Sequence, residues 1–456
     1  MAIDAWRRIA ARGIGTGLMA AVAWAAPAPA QDSTAWLAGR MLPPPVTTVT
    51  LAEAIRRAEQ VQPGMVQAEV NAHNAQAQKR AAWGAFLPNV SGSAGGNNFF
   101  SEGTARIDPT TGQVIPGNSS ATSVNFGLAA TVDIFTGLRR KYDLASANAQ
   151  IAASDAGLIN TRFQQRLQTT NSFLDALAAA QLVKVREASV RRAEEQLKVA
   201  IARLRAGTAT RSDSLRSMVQ LGTARLDLVN AQSTLAAAEA ALGRLIGVSG
   251  RVAATDDSAF YAVTDSIDVA ALEVEAAAQA PSVQSAEAAA RAARAAVASA
   301  RAAYLPSLSL SGQYTYNGSS RADYRLFNQR QLNLSMSWNI FNRFARERQI
   351  TLQSGAADVA DATAQDARRQ VVAQLIAQAA QLQAARVRIQ ITNTSLAAAQ
   401  EDLRVQNERY RLGVATILDV LTSQVNLNQA EIDVLVARYD YLRAKAQIEA
   451  LIGRSL

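Results

Sequence analysis

The chain of 456 residues carries 46 lysines and arginines against 37 acidic residues, a net charge of +9, and it contains one histidine, His73, and no cysteine. The lack of cysteine excludes disulfide frameworks, thiolate metal sites, cysteine nucleophiles and a lipid anchor on an N-terminal cysteine. One histidine cannot supply a multi-histidine metal site or a Ser-His-Asp triad. Because the chain also has no phosphate-cradling glycine loop and no nucleophile elbow, we expect no enzymatic activity and no cofactor.

The first 30 residues have the organisation of a secretory signal peptide. Three arginines precede an apolar stretch over 13–26, and a run of alanines and prolines ending at Ala30 suits signal-peptidase cleavage. The alternative, an amphipathic helix that stays on the protein, conflicts with the prolines that end this stretch. We therefore predict export, with a signal peptide over 1–30 and a linker over 31–49. Beyond the signal peptide no segment has the roughly 18 consecutive apolar residues of a membrane-spanning helix, so a membrane crossing would use strands.

The two halves of the chain repeat one pattern. Residues 51–88 match 269–306 at an offset of 218, and later motifs match at an offset of 206. The twelve extra residues of the first half lie between Pro88 and Asp133, where 108–112 reads as an exposed turn. This pattern predicts one architecture built twice, as an internal two-fold repeat. The predicted parts are a first repeat over 50–250, an inter-repeat segment over 251–267 and a second repeat over 268–456.

Each repeat begins with an alanine-rich helix that leads into a β-hairpin. Thr50, with Glu53 three residues on, is typical of a capping box, and a Leu-Pro sequence precedes strands of about ten residues that alternate apolar and polar side chains. Strands of this length suit a tilted transmembrane strand, and 12 of the 25 aromatic residues lie in 99–135 and 304–344, as interfacial girdles require. A soluble hairpin with one wet face is the less favoured alternative. The predicted helices cover 50–87 and 268–305, and the predicted hairpins cover 88–136 and 306–342.

A heptad pattern follows each hairpin. Val183, Val190, Leu197 and Leu204 recur every seven residues, and the corresponding helix of the second repeat and both return helices carry the same spacing. The spacing predicts coiled-coil packing. A helix of this length extends on the order of 100 Å, far beyond a globular core. The predicted long helices cover 137–206 and 343–412, and the predicted return helices cover 210–247 and 416–453.

Four strands from one chain cannot close a barrel. Lipid tolerates no unpaired strand edge, and even about eight strands form a barrel filled by its own side chains. Three chains would supply about twelve strands, and cyclic symmetry would pair their edges around an open lumen. The basic charge is dispersed along the helices of an exported chain, so we interpret it as solvated surface and expect no nucleic-acid partner.

Several local sequences carry a resemblance over essentially the whole mature chain. They are the Leu-Pro joints at Pro88 and Pro306, the Leu-Ile-Gly endings at Gly247 and Gly453, and the turn over 410–421. With the duplicated unit, they resemble the TolC family of outer-membrane efflux proteins. The resemblance implies a mixed membrane α+β fold, in which a homotrimeric 12-stranded transmembrane β-barrel in outer-membrane lipid continues as an α-helical coiled-coil tunnel in the periplasm.

The resemblance also implies partners and a function. A periplasmic adaptor and an inner-membrane pump would feed the channel, and substrates would pass through it unchanged, in small-molecule efflux or in type I secretion. Drugs, metal ions and proteins all stay open as cargo. The alternative function is that of an exported trimeric coiled-coil structural or adhesive protein, which would explain the heptads but neither the paired amphipathic hairpins nor the duplication.

The turns between long and return helices are the predicted docking tips. In the family such turns form the periplasmic mouth where the adaptor binds. The simpler interpretation is that the two glycines only end their helices. The tip residues are Gly207, Thr208, Ala209, Thr210, Gly413, Val414, Ala415 and Thr416.

The residues after the tips are gate candidates. Asp419 coincides with an aperture aspartate of the family and Tyr410 with its gate tyrosine, whereas Thr422 replaces a second aspartate and Ala415 an arginine. Asp213 occupies the place of Asp419 in the first repeat. Carboxylate rings in a narrow pore attract cations. The alternative is that both aspartates only stabilise the N-terminus of the return helix, an effect of roughly 0.3–1 kcal/mol.

Overall fold

The computed structural model describes residues 47–115, 119–255, 269–320 and 325–454. The predicted signal peptide, nearly all of the linker and most of the inter-repeat segment lie outside these ranges. The elements, in chain order, are β1 (Thr47–Val49), α1 (Leu51–Val61), α2 (Pro63–Gly84), β2 (Asn89–Ser101), β3 (Arg106–Ile107), β4 (Val114–Ile115), β5 (Ser119–Thr136), α3 (Arg139–Arg205), α4 (Arg211–Leu245), β6 (Val252–Ala254), α5 (Val269–Gln279), α6 (Pro281–Arg301), β7 (Ser307–Ser319), β8 (Phe327–Ser337), α7 (Ala345–Arg411) and α8 (Ile417–Ile452).

The prediction of one unbroken helix before each hairpin is wrong. Gln62, between α1 and α2, is extended with φ −68° and ψ 129°, and Ala280, between α5 and α6, is extended as well. In both places a proline follows at the first helical position. Proline disfavours the helical conformation of the residue before it, and it has no N–H to continue the preceding helix. Each predicted helix is therefore two helices.

The start of α1 shows half of the expected capping box. The hydroxyl of Thr50 accepts a hydrogen bond from the backbone N–H of Glu53 at 3.3 Å. The Glu53 carboxylate instead pairs with Arg57, one turn further along the helix, at 2.5 Å.

The two hairpins join into one antiparallel sheet of four strands in the order β2-β5-β7-β8. The second strand of the first hairpin pairs with the first strand of the second, with Phe126 opposite Tyr316 and Leu128 opposite Tyr314. Near its end β5 has a register shift between Asp133 and Phe135. This bulge places Phe135 opposite Leu308, so the apolar face stays continuous up to the helices. The last strand ends at Ser337, five residues before the predicted end of the second hairpin at 342.

The two faces of the sheet differ in polarity because side chains alternate along each strand. One face carries Leu308, Leu310, Leu332, Leu334 and Met336. The other face carries serine, asparagine and glutamine, with Ser309 and Ser335 joined across strands by a 2.8 Å hydrogen bond. This is the pattern expected of strands with lipid on one side and water on the other.

The long helices α3 and α7 have 67 residues each, and the return helices α4 and α8 have 35 and 36. In the second repeat the heptad residues Leu403 of α7 and Leu427 and Ile448 of α8 are buried, whereas Ile389 and Leu396 of α7 are half-buried. Those of α3 are only half-buried, with Ala193 fully buried between Val190 and Leu197. Within the described residues, no helix combines the length and apolarity needed to cross a membrane.

The main core surrounds the middle of the long helices. Phe173 and Leu177 of α3 pack in one cluster with Leu375 of α7 and with Tyr439 and Ile448 of α8. The short strands β1 and β6 pair in parallel over this cluster and bury Val49 and Val252. The sheet and the tips therefore lie at opposite ends of helices that are held together at their centre.

Candidate functional site at the helical tips

Both tip turns are Schellman motifs, in which a left-handed residue ends the helix. Gly207 and Gly413 have φ values of 72° and 80°. The N–H of Thr208 donates to the Arg203 carbonyl at 2.9 Å, and the N–H of Val414 donates to the Arg409 carbonyl at 2.9 Å. Only glycine adopts this conformation without a steric penalty, so the two glycines have a structural role whatever binds to the tips.

Both return helices begin with a complete capping box. Thr416 N–H donates to the Asp419 carboxylate at 2.8 Å, and Asp419 N–H donates back to the Thr416 hydroxyl at 3.3 Å. Thr210 and Asp213 make the same pair of bonds at 2.9 and 3.2 Å. The bond from the Thr416 N–H, followed by the bond from its hydroxyl, lowers the pKa of the Asp419 carboxyl. Both aspartates thus act as helix caps within the chain, and Asp419 is exposed as well.

Tyr410 is buried at the end of α7. It packs in an apolar cluster with Leu403 of the same helix and with Ile417, Val420 and Leu427 of α8. Its hydroxyl is buried and has no hydrogen-bond partner in the described part of the chain. Burial raises the pKa of this phenol. A buried hydroxyl without a hydrogen-bond partner is destabilising by about 1–3 kcal/mol, so burial of the Tyr410 hydroxyl lowers the stability of the isolated chain.

Arg203, which connects the two tips, was not predicted from the sequence. It lies in the last turn of α3, donates a hydrogen bond to the main-chain carbonyl of Tyr410, and places its guanidinium carbon 4.4 Å from the centre of the Tyr410 ring. The repeat offset of 206 aligns Arg203 with Arg409, and a basic residue near a helix C-terminus is ordinary. The sequence therefore contained no signal that singled it out.

A groove of about 540 Å³ runs between the return helices α4 and α8 next to the tips. Thr422, the predicted gate position, lines it and is exposed. Its apolar lining includes Leu215, Val219, Leu418 and Val425, each more than half exposed. Ala415 is not in the groove, because it packs against the buried cluster of Tyr410.

Charged contacts join α3 to α8 between the tips and the central core. Arg192 forms a bidentate ion pair with Glu431, at 3.1 and 2.7 Å, and also donates to Asn428 at 2.8 Å. Closer to the core, Arg443 of α8 pairs with Asp175 of α3 at 2.5 Å. Arginines at three levels thus hold the two helical hairpins of one chain together, and Arg203 is the one nearest to the tips.

Helix caps, apolar contacts and ion pairs hold the two tips and the adjoining helices together. Within the described residues, no group of three or more histidine, aspartate or glutamate side chains is placed to hold a metal ion. The tip residues predicted from the sequence do come together as two adjacent turns.

Comparison with known proteins agrees with this architecture. The family model described as outer membrane efflux protein matches residues 54–248 and 272–454. The chain is 28% identical over 349 residues to the outer membrane efflux protein BepC of Brucella suis biovar 1, covering 74% of this chain and 75% of that protein. It is 25% identical over 319 residues to the outer membrane protein TolC of Vibrio cholerae, covering 67% and 70%.

Solved structures show the same fold. The crystal structure of CusC, described for its folding and transmembrane channel formation, matches with a TM-score of 0.75 at 18% identity, over 89% of this chain and 92% of that one.

Proposed function

We propose that this protein, a member of the outer membrane efflux protein family and by that membership an outer-membrane efflux channel, works as a homotrimer. In this trimer three copies complete one barrel and one tunnel. Support comes from the sheet edges. Within the described strands, β2 and β8 each pair on one side only. Unpaired backbone groups in lipid are destabilising by several kcal/mol each, and neighbouring copies can pair them.

The exposed apolar face of the sheet favours the same assembly in the membrane. Leu332 and Met336 on the last strand are 76% and 69% exposed. In water such a face would be an aggregation hazard, whereas in lipid it is the expected surface of a barrel. The proposed internal duplication then makes each copy contribute two similar hairpins and two similar helical pairs.

We further propose that a periplasmic adaptor, itself bound to an inner-membrane pump, docks on the tips. Thr208 and Val414 are exposed at the ends of the two turns, and the adjacent groove presents apolar side chains on both return helices. An exposed apolar surface next to rigid turns is suited to a helical partner, whose apolar side chains would fill it.

Cargo passes through this duct without chemical change in the proposed mechanism. The described tip residues cap helices and pack against each other. The aperture itself is proposed to be set by Asp419, which three copies would place three times around the tunnel end, and by Tyr410 and Arg203, which hold the tips inward. Asp213 and Thr422 would lie beside the aperture.

The docking role is tested by charged substitutions at the tips. Thr208→Asp and Val414→Asp should abolish efflux while the trimer still assembles, because a carboxylate in an apolar contact has to be desolvated. Thr394→Asp, at an exposed threonine of α7 seventeen residues before the end of that helix, is the matched control and should leave efflux intact. Normal efflux in the tip variants would contradict the docking role. Loss of efflux in the control would show that the effect of an added carboxylate is not specific to the tips.

A further inference from the structure

The four joints between helices and sheet share one arrangement of exposed side chains. At each joint an exposed apolar residue lies toward the sheet, and a lysine or arginine lies three or four residues away along the chain, further from the sheet. Trp83 is on the same helix as its two cations and shares a helix face with them, whereas the other three apolar residues lie just beyond the ends of their helices. The pairs are Trp83 with Lys79 and Arg80, Leu138 with Lys141, Leu305 with Arg301, and Phe344 with Arg348.

The five cations of these pairs share two properties. Lys79, Arg80, Lys141, Arg301 and Arg348 are exposed, and none of them forms an ion pair within the described residues. Elsewhere along the helices arginines are often paired, as in the links from α3 to α8. Cations without an ion pair also occur elsewhere on the helices, and those at the joints each lie three or four residues from an exposed apolar residue.

Neighbouring cations at the same level do have partners inside the chain. Arg140 donates to the Ala85 carbonyl at 3.1 Å and lies over the Phe86 ring. Arg346 pairs with Glu347 at 2.8 Å and lies over the Tyr304 ring. These two arginines fix the joints, so the unpaired set is not needed for that task.

Helix electrostatics disfavour part of this set. The first turn of α3 contains Arg139, Arg140 and Lys141 and no acidic residue. The N-terminus of a helix carries a partial positive charge, so cations there are destabilising. Arg139 pairs with Asp143 at 3.9 Å, and Arg140 has its own partners at the joint. Local contacts therefore do not account for Lys141, which suggests an anion outside the chain.

The cations lie at one level of the molecule. The bond from Arg140 to Ala85 joins the start of α3 to the end of α2. A cavity of about 740 Å³ is lined jointly by Gln78, Arg139, Ala303 and Arg346, and so connects the ends of α2 and α6 with the starts of α3 and α7. The four joints together form what we call the basic collar, which consists of Lys79, Arg80, Lys141, Arg301 and Arg348.

We propose that the basic collar binds the headgroups of anionic phospholipids in the periplasmic leaflet of the outer membrane. The exposed apolar residue of each pair lies next to the sheet and would lie among the acyl chains. The long lysine or arginine side chain would then reach the phosphate layer. The apolar partner residues favour lipid over a purely polar anionic polymer. The inference rests on the proposed membrane orientation, and it adds a lipid partner to the channel.

The test compares two sets of charge-removing substitutions. Lys79→Gln, Lys141→Gln and Arg348→Gln are combined in the collar variant. The control variant combines Lys184→Gln, Arg191→Gln and Arg386→Gln, which are exposed cations on α3 and α7 away from the sheet, with no ion pair in the described part of the chain. Both remove the same charge. Purified trimers in neutral detergent are titrated with phosphatidylglycerol or with phosphatidylcholine, and bound lipid is counted by native mass spectrometry.

We expect the unmodified trimer to retain phosphatidylglycerol in preference to phosphatidylcholine. The collar variant should lose this preference, with affinity for phosphatidylglycerol falling about tenfold or more, while the control variant keeps it. Equal retention of the two lipids by the unmodified trimer, or an equal loss in both variants, would overturn the proposal. Conductance of the same samples in a neutral bilayer is recorded separately, because its absence in the unmodified protein would count against the channel function and not against the collar.

Discussion

The guanidinium of Arg203 lies 4.4 Å from the centre of the Tyr410 ring and donates to the carbonyl of the same residue. Arg203 ends the long helix of the first repeat and Tyr410 the long helix of the second, so this contact joins the two tips of one chain. The TolC family pattern has an arginine where Ala415 stands here. In this chain the cation that lies over the Tyr410 ring comes from the other helical hairpin.

Replacing Arg203 should loosen the tips. Arg203→Gln removes a cation–π contact of about 0.5–2 kcal/mol and a charge-assisted hydrogen bond. We expect an intact trimer with more frequent or larger openings in planar-bilayer recordings. Arg205→Gln, two residues on and exposed, is the matched control. Identical recordings from both variants would show that the contact does not restrain the gate.

Asp419 should influence ion permeation if three copies surround the aperture. A ring of carboxylates attracts multivalent cations, and removing it lowers the local negative potential. We expect Asp419→Ala to weaken block by multivalent cations added on the periplasmic side and to reduce cation preference. Unchanged block and selectivity, together with a less stable α8, would leave Asp419 with its capping role alone.

The cap at Thr416 should fail in acid. The hydrogen bonds from Thr416 lower the pKa of Asp419 below its usual value of 3.8. A carboxyl group with a depressed pKa in the folded state stabilises that state above its unfolded pKa, and this contribution is lost as the pH falls through the folded pKa. Amide protection in the first turn of α8, corrected for intrinsic exchange, should therefore drop below pH 3.8. In Asp419→Asn, which does not titrate, protection should not change with pH across this range.

Gly137 should not tolerate a side chain. Its φ is 63°, and a Cβ atom would lie 2.6 Å from the Ala302 carbonyl oxygen and 2.7 Å from the Leu305 Cβ. Gly137→Ala should lower the thermal stability of the protein clearly, because backbone atoms cannot move aside cheaply. Gly355→Ala, in the interior of α7 with open space around it, should instead be stabilising by about 0.5–1 kcal/mol. Similar melting temperatures for the two variants would contradict the close approach at this joint.

Periodicity predicted the regular elements well. The long helices were expected at 137–206 and 343–412 and occur as Arg139–Arg205 and Ala345–Arg411. Heptad spacing and glycine caps are local signals, and they are strong over such lengths. The breaks before Pro63 and Pro281 were also in the sequence, because the residue before a proline avoids the helical conformation, but the alanine-rich pattern on both sides hid them.

Contacts between the two halves could not be predicted from the sequence. The pairing of β5 with β7 and of β1 with β6 depends on how distant segments dock, which spacing within one segment does not determine. For the same reason Arg203 was missed, since its partner Tyr410 lies 207 residues away. The sequence predicted, as the simpler alternative, that Asp213 and Asp419 stabilise the start of the return helix through its dipole. The capping boxes with Thr210 and Thr416 were not predicted, although a Thr-x-x-Asp sequence is a local signal for them.

The most direct test of the channel function is a recording of purified trimer, extracted from outer membranes with detergent, in a planar lipid bilayer. We expect uniform stepwise ion currents from a protein that sediments as three copies. A monomer that stays soluble without detergent, keeps its strands and produces no current steps would contradict it.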